Sequence, residues 1–95
     1  MAASLWTFEG FVAARGRRVV QQWYHDDLSE DDRDGLRDRL TYLANTPRHL
    51  WQEPRFNYFG DGHGEIRGRG ALRIYGCFRD DEHFLFLNGE RKEKK

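Results

Sequence analysis

Ninety-five residues, 34% of them charged but with no net charge, describe one small domain that can close a core without metal or disulfide staples. The single cysteine, Cys77, excludes an internal disulfide and supplies no metal-ligand spacing, which predicts a reducing, cytoplasmic setting and no metal or other cofactor. No apolar run reaches the length of a membrane span or a signal-peptide core, so the chain reads as soluble, with no membrane partner.

In chain order, Leu5 to Val12 alternates apolar and polar residues around Phe8 and predicts a first strand ending near Gly10. Arg17 to His25 predicts a short helix with Val19, Val20, Trp23 and Tyr24 on one face. The clearest helix begins after Ser29, an N-cap with Asp32 three residues on and acids in the first turn. Leu36, Leu40 and Leu43 form its buried stripe, and Asn45-Thr46-Pro47 ends it. Gly35 inside this helix costs roughly 1 kcal/mol against alanine.

An aromatic connector, Trp51 to Phe59, is broken by Pro54 and carries a short strand at its end. Gly60-Asp61-Gly62 is a tight turn, and strands follow near 63–69, 71–79 and 83–88. Such close spacing predicts antiparallel pairing. The expected fold is α+β, in the order β-α-α-β-β-β, with two helices on one face of an antiparallel sheet of about four strands. Residues 1–95 form one domain, and 91–95 a basic tail. Trp6, Trp23 and Trp51 are expected to serve core or linker packing and not as a base-stacking platform.

Charge is unevenly spread. From Asp26 to Asp38 seven acids face two arginines, whereas from Arg48 to Arg79 six arginines face three acids. On the strand at 71–79, Leu72, Ile74, Gly76 and Phe78 share the core side, which leaves Arg73, Tyr75, Cys77 and Arg79 on the other. Glu65, Arg67 and Arg69 likewise share one side of their strand. A sheet packed on one face and carrying guanidinium on the other suits a polyanion. Arg67 and Arg73 flank a glycine-rich turn, and pairing of their strands places both on one face. His63 and His83 are of the residue type that ordinarily suits proton transfer near neutral pH, and Glu90 offers a carboxylate base. With Tyr75, the RNA-binding candidates are Arg69, Arg79, Lys92, Lys94 and Lys95.

The chain resembles the RelE/ParE toxin superfamily, and more closely its phage-derived HigB-like branch. Three features carry the likeness: Trp23 in the short helix before a leucine-striped helix, the glycine-flanked Glu65-Ile66-Arg67, and Arg73 before an aromatic strand that leads into Leu87-Asn88-Gly89 and a basic tail. The resemblance implies a RelE-like fold and the toxin of a type II toxin–antitoxin pair. It implies a metal-independent endoribonuclease acting on messenger RNA, usually at the ribosome. It also implies a cognate antitoxin, here expected to be a small helix-turn-helix protein. Catalytic roles in that branch fall on Arg67, Arg73 and Arg91. The tail lacks tyrosine and histidine. That keeps two alternatives open: a ParE-like toxin that inhibits DNA gyrase by binding it, or a degenerate relative that binds RNA or a protein without cleaving.

Overall fold

Alternation along one strand sets the layers. In the computed structural model, which describes residues 4–10, 16 and 18–92, strand β4 (Leu72–Phe78) buries Leu72, Ile74 and Gly76 and leaves the residues between them half-buried. It lies at the centre of a five-stranded sheet in the order β1-β5-β4-β3-β2, with β1 at Thr7–Gly10, β2 at Phe56–Gly60, β3 at His63–Arg67 and β5 at His83–Arg91. Helices α1 (Val19–Asp27) and α2 (Glu30–Ala44) cover one face. The protein is a small α+β fold. None of its described helices is long and apolar enough to cross a membrane.

Helix α2 starts as its residues dictate. Ser29 Oγ accepts the Asp32 N–H at 3.1 Å, and Glu30, Asp31 and Asp32 occupy the positive first turn. Its Leu36 and Leu43 pack on Ile66, Leu72, Ile74 and Phe84. At the other end, two buried tryptophans hydrogen-bond carbonyls in and just beyond the last turn. The Trp6 indole donates to Thr46 O at 3.1 Å, and that of Trp51 donates to Thr46 O at 2.9 Å and Leu43 O at 3.2 Å. Trp23 of α1 lies against Gly89, where any side chain would overlap its ring. All three tryptophans are therefore packing residues.

Three features differ from the expected architecture. The sheet has five strands, and it is mixed because β1 runs parallel to β5. Phe8 pairs with Phe84 and stacks on Phe86 at 5.0 Å, so a pairing between the two ends of the chain is held by aromatic packing. The continuation of the first strand to Val12 lies outside the described residues.

The last strand also runs three residues further than expected, to Arg91, with Lys92 N–H donating to Ala71 O at 2.7 Å. Residues 91 and 92 thus belong to the sheet margin and are not a free tail. The third difference is an irregularity in β5. Gly76 faces Phe86, but Tyr75 faces Asn88, so Leu87 is an extra residue. A bulge of this kind reverses which side chains point to which face beyond it.

Candidate functional site

The bulge decides what the open face of the sheet carries. Simple alternation from Phe84 would turn Glu90 toward the helices and Arg91 outward. With Leu87 inserted, Glu90 lies beside Arg73 on the open face, and Arg91 pairs with Leu72 on the helix side. There Arg91 Nη2 binds Asp32 Oδ2 at 2.5 Å, and this contact is the main cause that holds the Asp32 carboxyl below its ordinary pKa. The structure does not bring Arg91 together with Arg67 and Arg73.

Arg67 and Arg73 do come together. They are direct cross-strand partners, and one step along the same face Glu65 is opposite Tyr75. Glu65 is only 3% exposed. A buried carboxylate needs a partner, and Arg67 Nε supplies one at 3.1 Å while reaching Glu53 with Nη1 at 3.2 Å. Arg73 is held differently. Its Nη1 donates to the Leu72 and Gly70 carbonyls at 2.8 and 3.1 Å. Its Nε is buried without a hydrogen-bond partner, 3.9 Å from Glu65, beyond hydrogen-bonding range but inside strong Coulomb attraction.

On the other flank of Arg73, Tyr75 donates its hydroxyl to Glu90 Oε1 at 2.6 Å. The same bond, helped by desolvation, pushes the phenol up to about 12, so Tyr75 stays protonated at neutral pH. The Phe59 ring stacks on Tyr75 at 6.4 Å and is itself exposed. The open face therefore holds an acid–arginine–phenol array with an aromatic flank. It combines a carboxylate able to accept a proton, two guanidiniums that suit phosphate oxygens, and an exposed ring able to stack.

The remaining candidates lie elsewhere. His63 is opposite Cys77, beyond Tyr75 from Arg73, with Nδ1 3.0 Å from the Asp61 carbonyl. His83 is tied to Asp80 at 2.8 Å, which raises its pKa, at the end of the sheet remote from Arg73. Arg79 pairs with Glu9 at 2.8 Å. Arg69 packs over Gly35 of α2, away from the open face. Lys92 is exposed at the end of β5, and Lys94 and Lys95 lie outside the described residues.

Three residues of the array escaped sequence reasoning as site members. Glu53 and Phe59 come from the connector and the edge strand, and only the exposed aromatic beside a turn hinted at Phe59. Glu65 was visible on the arginine side of its strand, but nothing local foretold its burial. Among the described residues, no group of three His, Cys, Asp or Glu side chains is placed to hold a metal ion. No protein-family model and no curated protein matches this chain.

Proposed function

We propose that the open face is the active face of a RelE/HigB-type toxin, an endoribonuclease that cleaves messenger RNA at the ribosome by 2′-hydroxyl chemistry. The observation that carries this reading is the arrangement around Arg73, whose buried Nε has no partner while its strand neighbour Glu90 is held by Tyr75. Glu90 takes the proton of the 2′-hydroxyl as that oxygen attacks the adjacent phosphorus. Arg73, with Arg67 beside it, stabilises the doubly charged phosphorane. Neutral Tyr75 orients Glu90. Among the described residues no acid lies opposite Glu90, so we assign protonation of the leaving 5′-oxygen to solvent. On this reading the RelE-like arrangement of helices and sheet presents the face to RNA in the cytoplasm, and a cognate antitoxin blocks it.

A second reading has its own support. Arg67 is bound by two carboxylates, Glu53 and Glu65, which balances charge on that side and suits a face that docks on protein. This is the ParE-like alternative, with gyrase as target. Induced expression with mapping of messenger RNA ends, alongside a supercoiling assay, separates them. Cuts inside translated frames that vanish in Glu90→Gln support the ribonuclease. Growth arrest with intact transcripts and altered DNA topology refutes it.

A further inference from the structure

Three guanidiniums, one from helix α2 and two from the segments beside it, lie along one stripe of that helix, off the open face. Gly35, Arg39 and Tyr42 follow one another at helical spacing, four and three residues apart. The Arg69 side chain lies 3.7 Å from where a Cβ at Gly35 would stand. Arg39 donates from Nη1 to the Arg67 carbonyl. Arg55, immediately before β2, places its guanidinium 4.6 Å from the centre of the Tyr42 ring. Each of the three is thus positioned by a different contact, and together they cover roughly 10 Å of helix at about 1.5 Å per residue.

No ion pair among the described residues involves Arg39, Arg55 or Arg69. Asp38 adjoins Arg39 and Asp31 lies one turn before Gly35, yet neither makes an ion pair there. Arg39 is half-buried, and its pKa is lowered by burial first and then by the charges of Arg55 and Arg69. Arg39 is therefore repelled by both Arg55 and Arg69, and among the described residues no carboxylate forms an ion pair with any of the three, an arrangement that an arriving anion relieves.

We propose that Arg69, Arg39 and Arg55 form a linear binding site for the phosphodiester backbone of single-stranded nucleic acid. A row, unlike a cup, matches successive charges on a polymer better than one small anion, and guanidinium forks match phosphate oxygens in pairs. Arg67 joins this row to the open face: its carbonyl holds Arg39 while its side chain lies beside Arg73. One strand can therefore pass from the open face around the end of β3 to α2. The site does not depend on whether the open face cleaves.

The test is fluorescence anisotropy of a labelled 2′-O-methyl oligoribonucleotide, which cannot be cut, titrated across salt concentrations. Wild type is compared with the Arg39→Gln/Arg55→Gln/Arg69→Gln triple variant and with Arg69→Gln alone, a turn substitution with little bearing on folding. Each phosphate contact contributes roughly 0.7 to the salt slope of log affinity, so the triple variant should lose about 2 from the slope and Arg69→Gln about 0.7. An unchanged slope in both variants, or no binding by wild type, overturns the site. Displacement of the RNA by polyglutamate of equal charge, at equal concentration, overturns its assignment to nucleic acid. Binding with the expected slopes, in a protein that leaves cellular messages intact, supports the row while refuting the ribonuclease reading.

Discussion

Tyr75 and Glu90 sit on neighbouring strands with the phenol donating to the carboxylate at 2.6 Å, a pairing that exists because the Leu87 bulge turns Glu90 outward. The bond stabilises the protonated phenol, whose pKa of about 12 lies above the ordinary value of 10.0. A group with a raised folded pKa contributes stability below its unfolded pKa and loses it as pH rises through the folded one. Ultraviolet titration should therefore show one phenol ionising near 12, absent in Tyr75→Phe and returned toward 10.0 in Glu90→Gln. A Glu90→Gln protein whose late-titrating phenol is unmoved would break the assignment.

Glu90→Gln should also lower RNA cleavage by about 10²- to 10⁴-fold, the usual contribution of a general base. Glu90 is exposed, so the substitution should cost no more stability than its hydrogen bond with Tyr75 supplies, and denaturation should show the variant still folded under assay conditions. Cleavage within threefold or so of wild type would exclude Glu90 as the base.

Arg73→Ala should abolish cleavage, but not without a cost in stability. The side chain is only 17% exposed and lies 3.9 Å from buried Glu65, so truncation removes one of the two cations near that carboxylate. The expected loss is about 1–3 kcal/mol in urea denaturation. Adding Glu65→Gln removes the stranded charge and should recover part of that loss. A double variant destabilised by as much as the sum of its singles, or more, would show that Glu65 does not depend on Arg73.

Gly89→Ala should destabilise the protein by about 1–3 kcal/mol through overpacking. The added methyl would overlap the Trp23 ring that seats α1 on β5. Near-ultraviolet circular dichroism of the tryptophans should change with it. Wild-type stability in this variant would mean that α1 does not rest on Gly89.

Asp32 titrates below its ordinary value of 3.8, chiefly through Arg91. A depressed carboxyl contributes stability above its unfolded pKa and loses it as pH falls through the folded one. Asp32→Asn should therefore flatten the acid side of the stability profile below about pH 4 and leave the neutral-to-alkaline slope unchanged. An identical acid limb in Asp32→Asn and wild type would remove the pair from the stability of the fold.

Local pattern was enough for much of this molecule. The Ser29 cap, the Leu36 and Leu43 stripe, and the split of β4 into Leu72 and Ile74 against Arg73 and Tyr75 follow from periods of 3.6 and two within one element. The pairing of Arg67 with Arg73 followed from a short turn between adjacent strands. The pairing of β1 with β5 joins residues at opposite ends of the chain, and no periodicity records which distant strand offers Phe84 to Phe8. The exchange of Glu90 for Arg91 on the open face depends on one extra residue in β5, because a single-residue shift reverses every side chain beyond it. Burial of Glu65, and the meeting of Arg69 with Arg39 and Arg55 along α2, required helix and sheet to be docked. A side chain's charge is written in its own codon, but its partner and its exposure belong to whatever the fold sets beside it.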